Sequence, residues 1–351
     1  MPEAPDPCRF SQYHVHTENL LRKMGIKNVA LLTLSSGNSY GGLGISFTRR
    51  TWQALVISDV LEDIRNALLA LAVDRKKALA VFDRLTGGII DSIEKDGWKE
   101  LKKKLNKAAA ELSKMSLKQT LDETKKVALV GEIYVRRDSF SRQYLVEKLA
   151  ARGIVIKVVP VAEWVYYCDY TVRNNLSEKA DLKDKLNVFI ESYFRKKFEQ
   201  EIKSILAKSN LYEYHLIDVD KIMEIAEGLI SPHIIGEAVL TIGTSINEII
   251  DHVDGVIAIG PFGCMPSRIS EAILSEKIST HKSKVSQRLL IKEVLKKYPH
   301  LPFLNIETDG NAFPQLIEIR LEAFVLQVKR INELARKLRG QNSNKEEAIG
   351  Q

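Results

Sequence analysis

The chain of 351 residues carries three cysteines, Cys8 in "PDPCRFSQY", Cys168 in "EWVYYCDY" and Cys264 in "IAIGPFGCMPSRISEAIL". Cys264 has the most telling surroundings. Apolar strand residues break into Gly-Pro-Phe-Gly, and the spacing of Ile269, Ile273 and Leu274 then becomes helical, so the thiol falls on the tip of a strand-to-helix turn. At a helix N-terminus the dipole and the unpaired N–H groups favour thiolate, which makes such a cysteine a nucleophile or a metal ligand. A nucleophile needs a base. None of His14, His16, His215, His233, His252, His281 and His300 is singled out for that role by its placement. A metal site needs further thiolates. Cys8 lies in a second proline-bracketed turn, whereas Cys168, among aromatics, reads as a buried and inert thiol. No C-x-x-C spacing exists, which excludes zinc-ribbon and ferredoxin motifs. An odd number of scattered cysteines argues against a disulfide framework and for a reducing compartment.

Two other loops occupy similar positions, "GEIYVRRDSFS" and "ETDGNAFPQ". In a parallel sheet, residues just beyond the carboxyl ends of the strands converge on one edge, where ligands bind. Glu132, Gly260, Pro261, Phe262, Gly263, Asp309 and Asn311 are therefore the candidates for lining a cofactor. Gly260 and Gly263 would let the backbone approach a bulky group, and Pro261 and Pro266 would stiffen the turn. The same residue types also suit ordinary turns and caps, with Asp138 and Ser139 as N-cap candidates and Asp309-Gly310 as a turn.

The elements that must position these loops alternate as in an α/β protein. An apolar run Asn28–Ser36 reads as a strand, followed by the loop "GNSYGGLG" and by helical patterns from Arg49 to about Thr124. "KVALVGEIYV", the helical "SFSRQYLVEKLAARG" and "IVIKVVPV" form a βαβ unit. Tyr144, Leu145, Leu149 and Ala150 share its helix face, and Gly153 is its C-cap glycine. Further helices over 186–209 and 231–250 precede the strand "DGVIAIG". A last strand "LPFLNIETDG" leads into a helix from Pro314 to about Arg339, with Leu316, Ile319, Leu321, Phe324 and Val328 on its buried side. The expected fold is α/β, in two domains with parallel sheets flanked by helices and a cleft between them. The expected divisions are a helix-rich N-terminal domain over residues 1–125, a C-terminal domain over 126–339 and a disordered tail over 340–351.

Composition narrows the class. The chain is 45% hydrophobic and 28% charged, enough for well-buried cores. No apolar run approaches the roughly 20 residues of a membrane span, and the opening "MPEAPDPCRF" lacks signal-peptide character, so a cytoplasmic protein is expected. The formal charge is +7. Its lysines crowd into Trp98–Lys126, interleaved with acids around an apolar stripe of Leu101, Leu105, Ala108 and Leu112. That pattern is a solvated helix face. No aromatics alternate with the lysines as a base-stacking platform requires, so nucleic acid is not an expected partner. The basic surface would suit a phosphorylated cofactor or an acidic partner instead.

Four separated stretches, "PCRFSQY", "GEIYVRRDSFSRQYLVEKLAARGI", "GPFGCMPSRI" and "IETDGNAFPQLIEIRLEAFVLQVKR", together resemble the C-terminal part of the acyl-CoA dehydratase activase-related proteins. These are relatives of 2-hydroxyglutaryl-CoA dehydratase and benzoyl-CoA reductase subunits. The resemblance covers Pro7 to about Arg330. It implies an iron–sulfur cluster, of the [4Fe-4S] type, held by cysteines in the cleft and fed with low-potential electrons by a separate ATP-hydrolysing activator, in a system acting on an acyl-CoA. Cys8 and Cys264 fall on the family's cysteine motifs, and Cys168 matches none. Ser11 stands where relatives carry glycine. This chain has no G-x-x-x-x-G-K-[ST] loop, and no ATPase activity is expected in it. A cubane has four iron sites and this chain offers three thiolates at most; three suffice where the fourth iron carries water, hydroxide or substrate, and otherwise another chain supplies the rest. The alternatives are an assembly module or split fragment without its own cluster, and a thiol enzyme using Cys264 as nucleophile.

Overall fold

The structure is a computed structural model that describes residues 12–31, 43–176, 182–286, 288–308 and 314–349. Its centre is a sheet of four parallel strands in the order β2-β1-β3-β4, with β1 over Lys125–Gly131, β2 over Ile154–Val158, β3 over Gly255–Pro261 and β4 over Phe303–Thr308. The α/β class read from the sequence is the class observed. Strand β1 is central and its Val127–Val130 are fully buried, as expected of a parallel strand covered on both faces.

The βαβ unit appears as read, with Val127 opposite Ile156 in parallel register. After a short α5 over Ile133–Arg137, its helix is shorter than read, α6 over Leu145–Ala151, because Asp138 accepts the Ser141 N–H at 2.7 Å and holds 138–144 in turns. Tyr144 there takes φ 55 and is 54% exposed, so it does not join the buried face of Leu145, Leu149 and Ala150. Gly153 ends the unit at φ +70, as its C-cap reading requires.

Before the sheet come α1 (Tyr13–Lys23), α2 (Gly44–Leu71), α3 (Arg75–Lys95) and α4 (Trp98–Leu112). The lysine-rich helix α4 buries Leu101, Leu105, Ala108 and Leu112, the stripe read from the sequence. Residues 28–31 are irregular, and the rest of the strand expected over Asn28–Ser36 lies outside the described residues. Helix α2 packs on β2 and α6, and its apolar side is continuous with the core around the sheet. Polar clamps add to that contact: Asn66 donates to the Ile156 carbonyl at 3.1 Å, Asp63 accepts the Val158 N–H at 3.0 Å, and Asp59 accepts the N–H groups of Val161 and Ala162, each at 3.0 Å.

After β2 follow α7 (Ala162–Arg173), α8 (Leu182–Ala207), α9 (Val219–Ala226) and α10 (Glu237–Glu248), then α11 (Met265–Val285) and α12 (Leu289–Lys297) around β4, and finally α13 (Pro314–Ile349). Helices α10 and α11 pack together, and α10 lies over β1. Helix α13 buries Leu321, Phe324 and Val328, while Ile319 is 68% exposed, contrary to its reading as a core residue. The helix continues through most of the tail read as disordered. Among the described residues, no helix is long and apolar enough to cross a membrane.

Candidate functional site

The connection from β1 leads to β2 on one side, and the chain returns past β1 to β3 on the other. The carboxyl ends of β1 and β3 therefore flank the topological switch point, where parallel sheets open a crevice. Gly131 ends β1 at φ +105 and packs directly on β3, and the Glu132 N–H that follows bonds the Ile259 carbonyl at 2.9 Å. Gly260, the last residue but one of β3, lies against Ser267. A β-carbon on Gly260 would lie 2.9 Å from the Ser267 β-carbon and closer still to its hydroxyl, so only glycine fits between β3 and the first turn of α11.

Pro261 ends β3, and the Phe262 N–H that follows bonds the Thr308 carbonyl at 2.9 Å. Gly263 then turns at φ +68, with open space where a side chain would be. Its N–H is accepted by Glu307 Oε1 at 2.9 Å, and Arg268 stands 3.6 Å from the other Glu307 oxygen. These contacts aim the chain so that Cys264 becomes the N-cap residue of α11, with Pro266 in the first turn. The Cys264 thiol is partly buried, its N–H bonds the Pro261 carbonyl at 3.1 Å, and its carbonyl starts the helix by accepting the Arg268 N–H at 3.0 Å. Phe262, Tyr134 and Phe140 are exposed by 73%, 66% and 78%, an apolar rim along the same edge.

The structure thus brings Glu132, Gly260, Pro261, Phe262, Gly263 and Cys264 to one sheet edge, together with Glu307 from β4. Asp309, Asn311 and Cys8 lie outside the described residues. Both oxygens of Glu132 are engaged locally, accepting the N–H groups of Tyr134 at 3.2 Å and Val135 at 2.7 Å, which is the capping role that the residue type also allows. Cys168 is in α7, six residues beyond its start at the carboxyl edge, hence about 9 Å down the helix at 1.5 Å per residue. Among the described residues no group of three His, Cys, Asp or Glu side chains is arranged to hold a metal ion.

A second polar cluster, behind the edge, was not foreseen. Lys157 interrupts the apolar strand "IVIKVVPV", and on a sheet covered by helices an inward lysine needs a partner. It finds Glu248 of α10 at 2.8 Å. Burial alone would push the Glu248 carboxyl up, but the Lys157 ammonium holds it below its ordinary value. His215, enclosed beside the two lysines Lys157 and Lys203, is pushed down to about 3, and its Nδ1 lies 3.0 Å from the Glu213 carbonyl. Glu163, bonded by the Thr244 hydroxyl at 2.8 Å, is pushed up to about 7 by burial. Burial does the same to Asp63 beneath β2, also to about 7.

Glu163 gives the stability a definite pH slope. Below about pH 4.5 the group is protonated folded and unfolded alike. Between that value and 7 the unfolded chain releases a proton that the folded protein keeps, so stability falls as pH rises and levels off above 7. Glu163→Gln has no such proton to lose. In urea unfolding it is expected to gain on the wild type between pH 4 and pH 8 by on the order of 3 kcal/mol, from the shift between 4.5 and about 7. An equal offset at both pH values would show that Glu163 is not protonated in the fold.

No protein-family model, no curated protein and no solved structure matches this chain.

Proposed function

We propose that the chain is an iron–sulfur redox subunit that holds a [4Fe-4S] cluster at the carboxyl edge of its sheet, with Cys264 and Cys8 as thiolate ligands. It would work beside an ATP-hydrolysing activator in a radical acyl-CoA dehydratase or reductase system. The observation that carries the reading is the built turn at Cys264. Gly260 packs against Ser267, Glu307 fixes the Gly263 N–H, and Cys264 is the N-cap residue of a helix of 21 residues at the switch-point crevice. That environment fits a thiolate ligand: the helix N-terminus favours negative sulfur, and the space beside Gly263 is open. A cluster there would supply one-electron transfer at low potential. The protein's own part is to hold the sulfur, to fix the Gly263 turn through Glu307 and Arg268, and to offer the rim of Tyr134, Phe140 and Phe262 to whatever docks on the edge.

The test is the electron paramagnetic resonance spectrum of anaerobically prepared protein after reduction with dithionite. A cluster signal is expected in the wild type and is expected to be lost, with the brown colour, in Cys264→Ser. A protein that stays silent and colourless after reconstitution with iron and sulfide contradicts the proposal.

One observation favours the second reading, an assembly module. Leu186, Phe189, Ile190 and Tyr193 form an exposed stripe on α8, between 47% and 68% accessible, of the kind that marks a docking face. A colourless protein that still binds its activator would select this reading.

A further inference from the structure

The polar cluster around Lys157 does not merely fill space between the sheet and α10. It borders a cavity of about 130 Å³, several times what one water needs. The floor is Ala128 and Lys157 of the sheet with Val159 just beyond β2, and Glu248 of α10 forms one wall. Lys221 and Asp218 stand at the exposed mouth, with Asn247 and His215 between. The cavity lies over β1 and β2, and Cys264 does not line it.

The lining carries charges of both signs. Lys157 pairs with Glu248, Asp218 caps α9 by accepting the Lys221 N–H at 3.1 Å, and Glu163 accepts the Thr244 hydroxyl at 2.8 Å, so two lysines and three carboxyl groups face one space, with His215 and His252 beside them. His215 stays neutral at physiological pH. With Nδ1 donating to the Glu213 carbonyl, its Nε2 is an acceptor. A simple anion entering the cavity meets Glu248 and Asp218, and a simple cation meets the two lysines. A molecule carrying both signs can satisfy both sets. It would place its carboxylate toward the lysines and the Asn247 side chain, and its ammonium toward Glu248 and the His215 acceptor.

We infer that this cavity is a binding site for a small zwitterion, a free amino acid, separate from the edge that carries Cys264. The inference does not depend on the cluster proposal, since none of its residues is a cluster ligand.

Isothermal titration of the full chain with individual L-amino acids, acetate, methylamine and inorganic phosphate tests it. At least one amino acid is expected to bind with a submillimolar Kd and to raise the Tm, with acetate, methylamine and phosphate at least tenfold weaker. The paired substitution Lys157→Met with Glu248→Leu removes both charges without stranding either. It is expected to weaken amino-acid binding at least tenfold while the circular dichroism spectrum stays native. Should that pair fail to fold, Lys221→Gln at the exposed mouth serves in its place and should weaken binding at least threefold. The inference is overturned if no amino acid gives heat or a Tm shift at 10 mM, if phosphate or acetate binds as tightly as the best amino acid, or if the folded variant binds like the wild type.

Discussion

Gly131→Ala is expected to destabilise the protein by roughly 3–5 kcal/mol, combining a strained backbone with overpacking against a rigid neighbour. A β-carbon at this position would sit 2.8 Å from the Ile259 nitrogen and closer still to its carbonyl oxygen. Those atoms belong to the adjacent strand, whose ladder cannot retreat without breaking the β1–β3 register. The backbone φ of +105 adds strain for any residue with a side chain. Gly153→Ala is the natural control. Its φ of +70 is also left-handed, but nothing lies within 4 Å of the added carbon, so about 1–2 kcal/mol is expected. Urea unfolding of the two variants separates the effects. Equal losses would mean that the close approach at the crevice, on which the placement of Glu132 and the β3 turn depends, is not present.

The second large effect is expected at Glu199. Glu199 and Lys203 form a 2.7 Å ion pair within α8, with side chains only 1% and 2% exposed. The same carboxylate accepts the Tyr166 hydroxyl at 2.7 Å and the Ile217 N–H at 3.0 Å. Glu199→Leu strands a buried ammonium, a change that costs about 3–5 kcal/mol. Adding Lys203→Met removes the stranded charge and should restore at least half of the loss. The remainder reflects the Tyr166 and Ile217 groups left without their acceptor. Denaturation midpoints of the two single variants and the double variant read this directly. A double variant as unstable as Glu199→Leu would place the damage in packing and not in the unpaired charge.

The contrast between these sites and the edge explains what could be read from the sequence. The βαβ unit and the α4 stripe were legible because hydrophobic period and turn residues are local signals: Leu101, Leu105, Ala108 and Leu112 bury as their spacing requires. Tyr144 escaped because its left-handed conformation follows from the Asp138 turn, which cuts the helix short. Ile319 has helical spacing but falls on the exposed side of α13. The clamps made by Asp59, Glu62 and Asp63 were written in the sequence as acids at positions i, i+3 and i+4 of an otherwise apolar helix. Only the fold reveals that their partners are Arg137, Arg142 and the end of β2. Lys157 was the clearest missed signal, a charge inside a strand that should be apolar on both faces. At the candidate site, the convergence of the β1, β3 and β4 ends followed from parallel topology. The capping role of Glu132 and the Glu307 contact to Gly263 are tertiary and were not legible.

Iron and acid-labile sulfide, quantified per chain on protein purified and reconstituted without oxygen, test the central proposal most directly. About four of each per chain are expected, as a [4Fe-4S] cluster requires. Cys8→Ser and Cys264→Ser are expected to lose most of both, while Cys168→Ser keeps them. Wild-type protein with neither iron nor sulfide, or a Cys264→Ser variant that retains the full complement, would contradict the proposal.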